Sequence, residues 1–388
     1  MRVDELALED FRNFESVHVE FARSLNLLVG KNAQGKTNLL ESVYCLTGLG
    51  SPRAADSALV RHGAERALVH ARVSRGPRSV RVDLELRPGR GQRALVNRTA
   101  ASGPRDLGEV TAAVFFGPDE LSLVKGSPDG RRRFLDDLVV KLRPARHGLR
   151  REWERVLRQR NALLRSMPRA APPGAADTLD VWDEALCRVG GALASARLEA
   201  LGRLLPLARR RFGEVAGGGD LGLAYVGSWL GQDTAEAAVD RPESISEADV
   251  HKALSVAVED ARPREIERGQ SLVGPQRDDV LVEIATPSRP DGALVDARAF
   301  ASQGDQRTAA LALKLAESDL LTAALGERPI LLLDDVFSEL DPSRREWLSA
   351  TVRDLGQVLL SSAEPGAVAA AGADLVLDIS QGSVTARA

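Results

Sequence analysis

Apolar and polar residues alternate at the start of this chain. Val3, Leu6 and Leu8 predict a strand over residues 2–9, and Val17, Val19 and Phe21 predict a second beyond a turn at Arg12-Asn13-Phe14. Leu25-Asn26-Leu27-Leu28-Val29 then reads as a short buried strand, and after a loop Leu39, Leu40, Val43 and Leu46 recur at helical spacing. Alternation returns over residues 68–73, 79–86 and 94–97, where Val80, Val82, Leu84 and Leu86 mark one face. Several short strands after a single strand–loop–helix unit do not fit a repeated βαβ sheet. They predict an antiparallel layer attached to an α/β core. Val114-Phe115-Phe116, ending at Gly117-Pro118-Asp119-Glu120, adds a short apolar strand.

The period changes at Ser127-Pro128-Asp129, where a serine cap and a first-turn proline predict a helix start. Leu149, Trp153, Val156, Leu157, Leu163, Leu164 and Met167 share one helical face; Trp182, Leu186, Val189, Leu193, Ala196, Ala200 and Leu204 share another. A proline-rich break over 167–174 predicts that these helices form an antiparallel pair projecting from the core, closed by Gly217–Gly219 and followed by a helix over 244–261. Strands resume at Val280–Ile284. A helix carrying Leu311, Leu313, Leu315, Leu320 and Leu321 precedes Ile330-Leu331-Leu332-Leu333-Asp334-Asp335, whose unbroken apolar run is that of a buried parallel strand. Another such strand covers 357–362, and a hairpin turns at Gln381-Gly382. The expected organisation is a discontinuous head, residues 1–125 and 268–388, with a helical arm over 126–267.

Length and composition fit a soluble two-domain protein: 388 residues, 44% hydrophobic and 28% charged. Cys45 and Cys187 sit in apolar helical patterns and read as reduced core residues. With no signal-peptide pattern and no spanning apolar run, a cytoplasmic protein without membrane attachment is expected. The net charge of −3 does not suggest nucleic acid, and 46 arginines against 6 lysines point to a GC-rich coding bias. Between Arg131 and Arg165, however, 12 basic residues face 4 acidic ones. Arg131, Arg132, Arg133, Arg150 and Arg151 are therefore candidates to meet a phosphate backbone, the alternative being a solvated helix face coloured by the arginine bias.

The strongest chemistry lies in Gly30-Lys31-Asn32-Ala33-Gln34-Gly35-Lys36-Thr37, which satisfies G-x-x-x-x-G-K-[ST] between a strand and a helix. Its glycines let backbone N–H groups turn toward phosphate, and the helix N-terminus adds partial positive charge. Lys36 is placed to reach the β- and γ-phosphates of ATP, and Thr37 to hold Mg²⁺. Asp334, at the carboxyl end of a buried strand, is the second metal ligand, and Asp335 is placed to take a proton from attacking water.

These pieces, together with Phe11-Arg12-Asn13-Phe14, Thr37-Asn38-Leu39-Leu40-Glu41, Arg131-Arg132-Arg133-Phe134-Leu135-Asp136, Gln159-Arg160-Asn161-Ala162-Leu163-Leu164 and Gly274-Pro275-Gln276-Arg277-Asp278-Asp279, resemble the RecF family of bacterial DNA repair ATPases over nearly the whole chain. The resemblance implies an ABC-type head with a short helical arm, slow DNA-stimulated hydrolysis and an ATP-dependent homodimer with each nucleotide between two subunits. By resemblance, Asn38 joins the ATP-binding loop. Ser302, Gln303, Gly304 and Gln306 match the signature loop that meets the partner's ATP, and Ser338 and Asp341 match the D-loop. The resemblance also implies duplex, gapped or single-stranded DNA and mediator proteins of the RecR and RecO type as partners, in gap repair, replication restart and SOS induction. Four features depart from the family pattern: Gln276 in place of histidine, Asp305 in the signature loop, no glutamine in 115–120, and Ser361-Ser362 where a switch histidine is absent. An ABC transporter ATPase subunit and an ATP-binding scaffold with negligible hydrolysis are the competing readings.

Overall fold

Two hydrophobic periods build two different sheets. In the computed structural model, which describes residues 1–167, 175–231, 238–239, 241–287, 292–363 and 372–387, the strands run in chain order. They are β1 (Arg2–Phe11), β2 (Phe14–Glu20), β3 (Leu25–Val29), β4 (Ala67–Arg75), β5 (Arg78–Arg87), β6 (Gly91–Val96), β7 (Thr99–Ala100), β8 (Ala113–Phe116), β9 (Asp220–Val226), β10 (Asp279–Ala285), β11 (Val295–Asp296), β12 (Ile330–Asp334), β13 (Val358–Ser362), β14 (Leu375–Ser380) and β15 (Ser383–Ala386). The longer helices are α1 (Lys36–Cys45), α2 (Pro128–Leu142), α3 (Leu149–Ser166), α4 (Ala175–Ala216), α5 (Glu247–Arg268), α6 (Gln303–Leu325) and α7 (Pro342–Thr351).

Residues Met1–Leu121, Arg211–Gly218 and Ser302–Ala388 form one compact unit. Its alternating strands make an antiparallel sheet in the order β2-β1-β4-β5-β6-β7. Its unbroken apolar strands make the second sheet, β15-β14-β3-β13-β12-β8, parallel except for β15 at the edge. Every residue of β3, β12 and β13 is buried, as a strand covered on both faces requires. Val3, Leu6, Val69 and Leu84 of the first sheet share one core with Leu39, Leu40 and Val43 of α1 and with Phe115, Leu332 and Leu359 of the second. That shared core fixes α1 on the sheet, with its first turn following the carboxyl end of β3, where ligands of such sheets bind.

Ser122–Arg210 and Gly219–Ala301 form the other unit, which holds α2, α3, most of α4, α5 and a small antiparallel sheet in the order β11-β10-β9. Residues 268–301, expected with the head, pack here instead. The reason is β10, which pairs residue for residue with β9 from Asp279↔Val226 to Ala285↔Asp220. α5 starts at a capping box of Ser246 and Asp249 and runs through Pro263 to a left-handed Gly269, beyond the expected end at 261. The proline-rich turn over 168–174 lies outside the described residues.

Candidate nucleotide site

The loop after β3 is shaped by contacts that leave no room for side chains. A Cβ on Gly30 would fall 2.3 Å from the Ile379 carbonyl oxygen, and one on Gly35 2.7 Å from the Asn13 amide. Gly35 also holds φ +116°, a region that glycine enters without cost. Asn13 Nδ2 donates to the Gln34 carbonyl at 2.9 Å, Asn38 Nδ2 donates to Asn13 Oδ1 at 2.7 Å, and the Gln381 N–H donates to Gln34 Oε1 at 2.7 Å. The loop is thus fastened from the β1–β2 turn and from the terminal hairpin. Lys36 folds over it, donating from Nζ to the carbonyls of Gly30 at 2.6 Å and Lys31 at 3.2 Å. Burial lowers the Lys36 ammonium pKa below its ordinary value, opposed by the nearby charges of Asp335 and Asp334.

Across the loop, Thr37 Oγ1 donates to the Asp334 carboxylate, 2.9 Å from Oδ1 and 2.7 Å from Oδ2. Ser361 Oγ donates to Asp334 Oδ1 at 2.7 Å and accepts from the Asp335 N–H at 2.9 Å. Asp335 sits in the left-handed region, φ +52°, and its Oδ1 is buried without a hydrogen-bond partner among the described residues. A threonine hydroxyl, a fixed carboxylate and an unsatisfied carboxylate oxygen are hard donors that fit Mg²⁺ carried on nucleotide phosphates. They border a cavity of about 360 Å³ that is also lined by Asn32, Gly35 and Lys36 of the loop. Of the residues expected from the phosphate-loop pattern and the apolar strand, Asn32, Gly35, Lys36, Thr37, Asp334 and Asp335 line this one cavity, and Gly30, Lys31 and Gln34 do not. Asp119, and not Glu120, lines the same cavity where a metal-contacting glutamine is missing.

Ser302 to Gln306 do not line this cavity. Ser302 caps α6 and is exposed with Gln303, whereas Gln306 is buried and so lacks the exposure that contact with a partner's phosphate requires. Asp305, which departs from the family pattern, has a local use. Its N–H donates to Ser302 Oγ at 3.2 Å, Ser302 Oγ donates to its Oδ2 at 2.7 Å, and its Oδ1 lies 3.1 Å from Arg344 Nη2. Ser338 Oγ donates to the Asp335 carbonyl at 2.7 Å and Asp341 caps α7.

The arm candidates divide. Arg131 is buried in a two-bond pair with Asp279, at 2.7 and 2.8 Å, and is corrected from a DNA contact to a structural cation. Arg132 donates to the Asp278 carbonyl at 2.6 Å and pairs with Asp129. Arg133 is exposed and lies 3.9 Å from Asp137. Arg150 pairs with Glu154 at 3.0 Å but remains exposed, as does Arg151. Gln276, in the same unit, donates to the Val273 carbonyl at 3.0 Å.

Two features of the head site have no motif of their own in the sequence. Arg53 lines the cavity and lies 3.6 Å from Asp119. Behind it, fully buried Glu41 receives Arg12 through two hydrogen bonds of 2.8 Å and also accepts from Ser51 Oγ, which in turn receives the Arg53 N–H at 3.0 Å. The family-like segments around Arg12 and Glu41 were the only signal for this support.

Over residues 2–385 the chain matches the family described as RecF/RecN/SMC N terminal domain. It is 41% identical, over an alignment of 390 residues covering 99% of each chain, to the DNA replication and repair protein RecF of Streptomyces avermitilis. Among solved structures it resembles the recombination mediator protein RecF-ATPrS in the RecFOR pathway, with TM-score 0.86 and 26% identity, covering 100% of this chain and 98% of that one. It shares the fold of the Smc head bound to the C-winged helix domain of ScpA, with TM-score 0.56 and 15% identity, covering 100% and 98%.

Proposed function

This chain belongs to the RecF family, with an ABC-type ATPase head, and on that premise we propose that it is an ATP-operated switch for DNA repair whose nucleotide is held between two copies of the chain. One observation carries the two-copy reading. Ser302 and Gln303 stand exposed at a helix start yet take no part in the cavity of their own chain. A hydroxyl and the N–H groups of a helix N-terminus suit a phosphate, and here the phosphate comes from the other subunit. Thr37 and Asp334 would hold Mg²⁺, which would offset charge on the phosphates, Lys36 would leave its loop carbonyls for the β- and γ-phosphates, and Asp335 is placed to take a proton from water. ATP then favours the closed dimer because it contacts both copies, and hydrolysis removes that preference.

Duplex or gapped DNA and mediator proteins of the RecR and RecO type are the proposed partners, in gap repair, replication restart and SOS induction. Hydrolysis is slow and DNA-stimulated. Asp119 lines the cavity in a segment that carries no glutamine, and Ser361, hydrogen-bonded to Asp334 and Asp335, lies in a strand that carries no switch histidine. No helix among the described residues is long and apolar enough to cross a membrane, and the proposed site of action is the cytoplasm. ATPase assays with and without duplex DNA across a protein concentration series test the whole reading. The expected result is DNA stimulation with turnover per molecule rising with concentration. Turnover indifferent to both belongs to a transporter-type subunit, and near-zero turnover with tight ATP binding belongs to a scaffold.

A further inference from the structure

The cap of α6 and the cap of α7 are joined by one cation. Arg344 lies in the first turn of α7; its N–H donates to Asp341 Oδ1 at 3.0 Å and its Nη1 lies 3.0 Å from Asp341 Oδ2. Its other terminal nitrogen, Nη2, lies 3.1 Å from Asp305 Oδ1 in the first turn of α6. The two caps approach so closely that a Cβ on Gly304 would come within 3.1 Å of Arg344 Nη1. Asp305 in turn holds the Ser302 hydroxyl, accepting its proton at 2.7 Å.

This arrangement sets a problem for any phosphate that approaches Ser302. The hydroxyl has one proton, and Asp305 has it. An incoming phosphate must draw that hydroxyl away from a carboxylate and lie near the carboxylate's negative charge. Arg344 reduces both costs, because its guanidinium satisfies the other Asp305 oxygen and offsets its charge. Arg344 also reaches Asp341, so the same cation ties the signature-loop cap to the cap of the helix that follows Ser338.

We propose that Arg344 is a positioning residue for the two-copy ATP site: it neutralises Asp305 so that Ser302 can donate to the γ-phosphate held by the other subunit. The inference rests on the two-copy reading above. Arg344 touches neither substrate nor metal; it acts through Asp305. Substituting Arg344→Ala leaves an uncompensated carboxylate beside the incoming phosphate, and ATP-induced dimerisation weakens by about tenfold or more. ATP binding to the monomer stays at the wild-type level.

The test is sedimentation of each variant with and without ATP and Mg²⁺, alongside titration with a fluorescent ATP analogue at dilutions where the protein is monomeric. R344A loses dimerisation, and D305N/R344A regains it to within about threefold of wild type, since the offending charge is gone. D305N alone, which keeps the cation, dimerises at least as tightly as wild type and serves if R344A does not fold. Wild-type dimerisation by R344A, a double variant as weak as R344A, or a weak D305N would each overturn the proposal. A wild-type protein that remains monomeric in ATP overturns the two-copy site itself, and this inference with it.

Discussion

Residues 30–38 and residues 131–165 both stand out by composition and spacing, and the structure treats them differently. In the first, Gly35, Lys36 and Thr37 come together with Asp334 and Asp335, some three hundred residues on, around one cavity. In the second, a count of 12 basic and 4 acidic residues promised a cationic arm, yet two of its arginines are buried against distant acids. Arg131 is held by Asp279, and Arg160, with no exposed surface, by Asp183 at 2.6 Å and Glu265 at 2.7 Å. Spacing in a motif encodes mutual geometry, so it survives folding. A local charge count omits acids that arrive from elsewhere in the chain, so it does not.

The largest expected effect tests the first half of that contrast. Asp335→Asn removes the proposed base while leaving Thr37 and Asp334 to hold the cation, so single-turnover hydrolysis should fall by about 10²–10⁴-fold. ATP affinity should change little, and the ATP-bound dimer should last longer. Undiminished hydrolysis would place the base elsewhere and leave the convergence on Asp335 a matter of shape alone.

Next comes the buried half of the arm. Arg160→Ala would leave fully buried Glu265 without its cation, while Asp183 keeps Arg262 at 2.8 Å, at a cost of about 3–5 kcal/mol in a urea titration. Arg151→Ala, on the exposed face of the same helix, should stay within about 0.5 kcal/mol of wild type. Equal effects at the two positions would mean that burial does not sort these arginines.

How far the sequence could carry the fold follows the same division. The alternating strands, the apolar strands and the terminal hairpin were legible because each carries its own period. β9 was not: Asp220 to Val226 follows three glycines and, among the described residues, pairs only with β10, more than fifty residues away. Without that partner, residues 268–301 had no reason to be assigned to the arm. At the site, Lys36, Thr37 and Asp334 were legible from a motif whose context is local. Arg53 was not, since a single arginine in the loop after α1 matches no spacing rule, and only the fold brings it to the cavity. The Asp305–Arg344 pair was invisible for the same reason: it joins two caps that are each ordinary alone.

Arg53 therefore supplies a smaller and sharper test of the head. It reaches the cavity from a loop held by the Ser51, Glu41 and Arg12 network, and its only ion pair among the described residues is the loose one with Asp119. A guanidinium so placed is available to a nucleotide's phosphate, and Arg53→Ala should weaken ATP binding by about tenfold. Arg53→Lys should recover only part of the loss, because an ammonium lacks the planar fork. Full recovery would reduce Arg53 to a diffuse positive charge.

The smallest effect concerns what remains of the basic arm. Arg151 and Arg155 are both exposed, make no ion pair among the described residues, and stand four positions apart on α3. That spacing puts them on one helical face, where they are able to meet neighbouring phosphates. Removing either arginine from a phosphate should lower the salt dependence of DNA binding by about one unit in the slope of log K against log salt, with a modest loss of affinity at low salt. The double variant R151A/R155A should therefore bind duplex DNA more weakly and with a shallower slope, while its ATP affinity and urea midpoint remain those of wild type. An unchanged slope would assign DNA binding to another surface, and the arm's positive charge would then be structural at Arg131 and Arg160 and merely solvated at Arg151 and Arg155.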